Sequence, residues 1–126
     1  REVRYGEASR IDLLLEDARK GRCYVEVKNV HLMRKSGLAE FPDCATERGV
    51  KHLRALAAMV AEGHRAVMLF LIQRGDAERF KLADDLDPAY SEAFAEALAA
   101  GVEAMAFSCR MSPDEIVLDK RIRFLD

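Results

Sequence analysis

The stretch "CYVEVKNV", residues 23–30, is the segment that decides the fold of this chain. Its valines, tyrosine and cysteine are typical of a strand in a protein interior, but Glu26 and Lys28 interrupt it. Successive side chains of a strand point to opposite faces of a sheet, so the two charged residues share one face. Val25 and Val27 share the other face. We therefore expect a strand with an apolar face in the core and a charged face opposite it.

The composition is that of a single globular domain. The chain has 126 residues, of which 50% are hydrophobic and 33% are charged, and no apolar run approaches the roughly 20 residues that cross a bilayer. We expect one domain over residues 1–126 without a membrane span, and a cytoplasmic location, because three cysteines without CxxC spacing suit a reducing compartment. The first residues, "REVRYG", contain neither a signal-peptide core nor an initiating methionine, which predicts that the chain is the later part of a longer protein.

Hydrophobic periodicity predicts an α/β fold in which helices flank a mixed central β-sheet, in the order strand-strand-strand-helix-strand-helix-strand. The predicted strands cover residues 2–5, 10–16, 22–30, 66–72 and 102–109, with a further short strand at 116–119. The predicted helices run from near residue 46 to Gly63 and from Asp87-Pro88 to Gly101. The uninterrupted apolar run at 66–72 is expected at the centre of the sheet. The inner face of the second helix is predicted to consist of Tyr90, Phe94, Ala97 and Leu98.

The first two long strands are expected to pair as a hairpin. With Glu16 opposite Arg22, residue numbers across the pair add up to 38, which places Asp12 opposite Glu26. Asp12, Glu26 and Lys28 then lie on one face of the sheet. A shift of the register by one residue would turn charged side chains into the core, so we expect this register to be well determined.

Two carboxylates and a lysine at this spacing fit phosphodiester hydrolysis. Carboxylates roughly 5 Å apart repel each other unless a hard cation such as Mg²⁺ binds between them. The cation can polarise a phosphoryl oxygen, while Lys28 orients the attacking water. Judged on spacing alone, a cross-strand ion pair between Asp12, Glu26 and Lys28 on a solvated face explains the same pattern.

The arrangement D-(x)13-E-x-K, followed by a helix and a buried strand, resembles the PD-(D/E)xK nuclease superfamily, whose fold is restriction-endonuclease-like. More narrowly, the chain is similar to the sugar fermentation stimulation protein A (SfsA) family. Four separated blocks carry this resemblance in order: "YGEASRIDLLL", "CYVEVKNV", "FPDCATERGVKHL" and "GHRAVMLFLIQR". Together they extend over about residues 2–109, which makes the match far more specific than an ExK string.

The resemblance implies a nuclease-like C-terminal domain, an N-terminal OB-like domain absent from this chain, and DNA binding with little sequence preference. It assigns the acids of the motif to Asp12 and Glu26, the lysine to Lys28, and a Mg²⁺ or Mn²⁺ ion to the two acids. Ile11 stands where the proline of the motif would be. The resemblance also implies a role as a regulator of sugar (maltose) metabolism. A metal-dependent nuclease and a non-catalytic DNA-binding regulator therefore both remain open, as do RNA as a partner and the oligomeric state.

A net charge of −2 means that nucleic-acid binding needs a local basic patch. Arg48, Lys51 and His52 are predicted to cluster in the first turns of the first helix, where free amides and the helix dipole favour a phosphate group. A solvated helix start explains the same residues equally well.

Overall fold

The computed structural model describes residues 3–5, 9–11, 13–17, 21–42, 47–111 and 116–125. It contains two helices, α1 (Glu47–Ala61) and α2 (Pro88–Ala99), within this part of the chain. The strands are β1 (Val3–Tyr5), β2 (Ser9–Ile11), β3 (Leu13–Asp17), β4 (Gly21–Val30), β5 (Leu32–Lys35), β6 (Leu38–Phe41), β7 (Arg65–Ile72), β8 (Arg79–Leu82), β9 (Glu103–Met111) and β10 (Ile116–Phe124). Neither described helix is long and apolar enough to cross a membrane.

Eight strands form one mixed sheet in the order β3-β4-β7-β9-β10-β8-β6-β5, and β1 and β2 form a separate antiparallel pair. Strand β7 runs parallel to both of its neighbours, β4 and β9, while β3 pairs with β4 in the antiparallel sense. The α/β class and the mixed sheet predicted from the sequence are confirmed. The apolar run at 66–72 is part of interior strand β7, as predicted.

Both helices pack on one face of the sheet. Leu53 and Leu56 of α1 and Phe94 of α2 belong to the same buried cluster as Met68 and Phe70 of β7. Phe70 has no exposed surface. Its ring lies 5.4 Å from that of Phe41, 4.8 Å from Phe80, 6.0 Å from Phe94 and 5.8 Å from Phe124, between centroids. This aromatic group holds α2 and the strands from β6 to β10 around β7.

The helix ends follow the predicted signals. The side chain of Asp87 accepts a hydrogen bond from the backbone N–H of Tyr90 (3.2 Å), which caps the start of α2. Gly63 and Gly101, which follow α1 and α2, have φ of +96° and +110°, a conformation that favours glycine. The prediction for the inner face of α2 is wrong at Leu98, which is 42% exposed.

The prediction that the charged face of β4 lies opposite the core is wrong. Tyr24, Glu26 and Val30 lie on one face by alternation, and all three are buried, with exposed fractions of 5%, 4% and 1%. Tyr24 and Val30 belong to the cluster that the helices cover. On the other face Val25 is also buried, whereas Val27 is half-buried. The charged residues of β4 therefore lie on the helix-covered face, which excludes a fully solvated ion pair at Glu26.

The sequence pattern does not predict strands β5, β6 and β8. An ion network joins these strands to the loop before α2. Arg34 of β5 donates hydrogen bonds to both carboxylate oxygens of Glu40 in β6, at 2.9 and 2.8 Å. It also donates to both oxygens of Asp85, at 2.7 and 2.8 Å. Lys81 of β8 lies 3.9 Å from Glu40, which is 3% exposed. Arg34 thus neutralises a buried carboxylate and fixes the loop at the same time.

The Arg34–Asp85 pair predicts a small acid-dependent loss of stability. Hydrogen bonds from Arg34 lower the pKa of the Asp85 carboxyl to about 2. A lowered pKa stabilises the fold above the pKa of the unfolded chain, about 3.9, and this contribution disappears as the pH falls through the lower value. Thermal unfolding of the chain and of Asp85→Asn should therefore differ at pH 5 and converge between about pH 4 and pH 2. A difference that stays constant over this interval would contradict the assignment.

Candidate active site

Glu26 is the buried carboxylate around which the candidate site is built. It lies on β4 between β3 and β7, directly opposite Met68 in the parallel register, and is 4% exposed. Its neighbours on that face, Tyr24 and Met68, are almost completely buried. A carboxylate in such surroundings loses several kcal/mol of hydration unless charged or hydrogen-bonding groups replace the lost water.

Two basic side chains supply part of that replacement. Nζ of Lys28 lies 3.8 Å from Oε2 of Glu26, and Nδ1 of His52 lies 3.3 Å from the same oxygen. Lys28 comes from the same strand, whereas His52 comes from α1. The lysine side chain is 16% exposed and the histidine side chain 9%. An acid, a lysine and an imidazole thus converge in an interior setting, where polar and charged groups interact more strongly than in water.

The predicted hairpin register is confirmed where the structure describes it. Leu13 pairs with Val25, Leu15 with Cys23, and Glu16 with Arg22, so the residue numbers add up to 38 in each pair. Asp12, the predicted partner of Glu26, lies outside the described residues. Its place in the site therefore remains a prediction.

The three predicted phosphate contacts do not share one environment. Arg48 and Lys51 are exposed in the first turns of α1, as a phosphate-binding role requires, and no observation tests that role. His52 is 7% exposed and lies against Glu26. The structure therefore does not bring His52 together with the exposed Arg48 and Lys51. The sequence carried the signal, because Gly49, His52, Leu53 and Leu56 follow the i, i+3, i+4, i+7 spacing of a buried helix face.

The described residues supply only part of a metal site. No group of three or more His, Cys, Asp or Glu side chains suited to a metal occurs within the described ranges. Glu26 provides the oxygen donor that Mg²⁺ and Mn²⁺ prefer, and its burial gives it a fixed setting. This donor fits a hard divalent cation, and Asp12 is the further acid that the predicted register would add.

A cavity of about 490 Å³ lies elsewhere, between α2 and the end of β10. Phe94, Leu98 and Phe124 contribute to its largely apolar lining, and none of the site residues takes part. The chemistry favours Glu26 over this cavity, because a reaction site needs convergent polar groups, and Lys28 and His52 both approach Glu26.

The mixed sheet, with its helices on one face and a buried acid beside a lysine on an interior strand, defines a restriction-endonuclease-like domain. The chain belongs to the SfsA family: the model of the sugar fermentation stimulation protein RE (restriction-endonuclease-like) domain matches residues 1–115. The family resemblance predicted from the sequence is confirmed.

Named relatives agree with this assignment. A sugar fermentation stimulation protein homolog from Rhodospirillum centenum is 59% identical over 98% of this chain and 53% of its own length. A homolog from Sinorhizobium medicae is 62% identical over 93% of this chain and 49% of its own. The structure of Pyrococcus furiosus SfsA in complex with Ca²⁺ matches with a TM-score of 0.86 and 34% identity, over 100% of this chain and 54% of that one. The chain thus spans about half the length of the relatives it matches.

Proposed function

We propose that this domain hydrolyses phosphodiester bonds of nucleic acid, DNA in the first place, with a divalent cation held by Asp12 and Glu26. The observation that carries the proposal is the buried Glu26 carboxylate with Lys28 and His52 at its Oε2. A fold often gains little stability from a buried charged cluster, because well-packed apolar residues of similar volume can often replace it without loss. Strongly interacting buried charges are instead characteristic of functional sites.

Several observations support Asp12 as the second acid. It precedes β3, whose described pairs with β4 keep the predicted register up to Leu13 and Val25. It follows β2, which contacts both β4 and α1, the two elements that carry Glu26 and His52. P. furiosus SfsA, with the same fold, has been solved with Ca²⁺, an ion that prefers carboxylate oxygens.

Each residue has a defined part in this proposal. The cation, when bound, neutralises charge on the phosphoryl group and lowers the pKa of a water molecule. Glu26 and Asp12 hold the cation, and Lys28 places its ammonium group beside Oε2 of Glu26 at 3.8 Å. From there it can orient the attacking water and offset the charge of the phosphate.

Arg48 and Lys51 are proposed to bind the phosphate backbone. Both are exposed in the first turns of α1, and each directly precedes a residue of the buried helix face, Gly49 or His52. Contacts of this kind position nucleic acid without reading its sequence. They would also form the local basic patch that nucleic-acid binding needs in a chain with a net charge of −2.

The test is cleavage of end-labelled DNA and RNA by the full-length protein with Mg²⁺ or Mn²⁺. We expect cleavage with the metal ion and none with excess chelator, and a decrease of about 10²-fold or more in Lys28→Ala. Lys35→Ala is a matched control, because Lys35 is exposed on β5 and takes no part in the site.

The cleavage assay, combined with a measurement of DNA binding, distinguishes the second candidate, a non-catalytic DNA-binding regulator. The exposed Arg48 and Lys51 are the observation that favours it, since phosphate contacts alone are sufficient for binding. DNA that is bound but remains intact with either metal would rule out the hydrolytic proposal and leave the regulator. Binding should then survive Lys28→Ala and weaken when Arg48 and Lys51 are both replaced by alanine.

A further inference from the structure

His52 lies on the inner side of α1, among residues that build the core. It is 7% exposed, and the next residue, Leu53, is 1% exposed. Lys51 and Arg54, which flank this pair in sequence, are both exposed. The imidazole is therefore directed away from the surface on which a phosphate would approach α1, and towards β4.

Its contact within the core is with the central acid of the site. Nδ1 lies 3.3 Å from Oε2 of Glu26, the oxygen that Lys28 approaches at 3.8 Å. Contacts from a helix and from a strand thus converge on one oxygen. Two neighbouring groups at one oxygen favour a limited set of carboxylate orientations, and a cation binds best to a ligand that does not have to reorganise.

We propose that His52 is a positioning residue that holds the Glu26 carboxylate ready for a divalent cation. The inference rests on the proposed function, because the cation is the one assigned to Asp12 and Glu26. Groups that orient a metal ligand typically change metal affinity by about 10- to 100-fold when they are removed. Without His52, Glu26 would retain Lys28 as its charged neighbour but lose the contact from α1.

A positioning role makes a different prediction from direct ligation by the imidazole. A carboxylate that is poorly oriented binds every hard cation less well, so Ca²⁺ and Mn²⁺ should be affected alike. An imidazole ligand contributes much more to Mn²⁺ than to Ca²⁺, because nitrogen donors suit transition metals better. The ratio of the two losses therefore identifies the role.

The experiment is calorimetric titration of Ca²⁺ and of Mn²⁺ into the full-length protein without nucleic acid. We expect His52→Ala to weaken both ions by about 10- to 100-fold and by similar factors. His52→Asn, whose amide nitrogen can take the place of Nδ1, should recover most of the affinity. His64→Ala is the matched control: His64 follows α1, and its ring meets Tyr24 edge-on at 5.5 Å between centroids.

Three results would overturn the inference while leaving the metal site in place: unchanged affinity in His52→Ala, a loss restricted to Mn²⁺, or an equal loss in His64→Ala. If His52→Ala does not fold, the test rests on His52→Asn. A metal affinity of His52→Asn far below that of the unmodified protein would contradict a positioning role for Nδ1. No binding of either ion by the unmodified protein would instead reject the metal site of the proposed function, and this inference with it.

Discussion

Replacing Glu26 with glutamine is expected to reduce metal-dependent cleavage of nucleic acid by the full-length protein by about 10³-fold. A bound cation contributes several kcal/mol of charge stabilisation in the transition state, and each 1.4 kcal/mol corresponds to a factor of ten in rate. Glutamine has nearly the size of glutamate, so the packing around this residue, which is 4% exposed, is preserved. The carboxamide has no negative charge with which to hold a divalent cation.

The matched control is Glu103→Gln. Glu103 lies on β9 and accepts two hydrogen bonds from Arg65, both at 2.8 Å, so it is a paired glutamate outside the site. Both variants should be measured as initial rates over a series of Mn²⁺ concentrations, with circular dichroism to verify folding. Cleavage by Glu26→Gln at the rate of the unmodified protein would exclude Glu26 as a metal ligand. Equal losses in both variants would indicate a general effect of lost charge.

The regular parts of the fold could be predicted because local chemistry determines them. Asp87 followed by Pro88 marks the start of α2, and the capping hydrogen bond to the N–H of Tyr90 is present. The register between β3 and β4 also followed from the sequence, since the alternation of charged and apolar residues allows one pairing.

Strands β5, β6 and β8, at one end of the sheet, could not be predicted because they are short and only β8 has a period-two pattern. All four residues of β6, Leu38–Phe41, are buried, including Glu40. The charge of Glu40 is neutralised by Arg34 on the paired strand β5. Strand β8, Arg79–Leu82, does alternate, but it is four residues long. Strands β6 and β8 pair with each other although they are far apart in sequence, and local propensity does not report such a partner.

The sequence predicted that Glu26 and Lys28 share one face of β4, but not the setting of that face. Glu26 and Lys28 are adjacent as expected, but they occupy the face of β4 that the helices cover. The sequence pattern divides β4 into two faces without indicating which face the helices pack on. Its place in the first turns of α1 groups His52 with Arg48 and Lys51, whereas helical spacing groups it with the buried Leu53. Spacing along α1 was the better guide.

Replacing Phe70 with alanine is expected to lower the free energy of unfolding by about 3–5 kcal/mol, the usual range for a buried phenylalanine. This is a large share of the roughly 5–15 kcal/mol that stabilises a domain. Phe70 has no exposed surface, and its ring contacts four other phenylalanines. Its removal would therefore leave a cavity where α2 meets the sheet.

Leu69→Ala is the control, because Leu69 precedes Phe70 on β7 but points to the other face and is half-buried. Urea unfolding followed by circular dichroism should give a much lower midpoint for Phe70→Ala than for Leu69→Ala, with similar slopes. Phe70 is also paired with Lys28 in the register between β4 and β7. Leucine at this position fills more of the cavity than alanine does. If the aromatic cluster supports the site, Phe70→Leu should therefore keep most of the stability and of the Ca²⁺ affinity. Equal midpoints for Phe70→Ala and Leu69→Ala would show that the helix-covered face does not carry the main core.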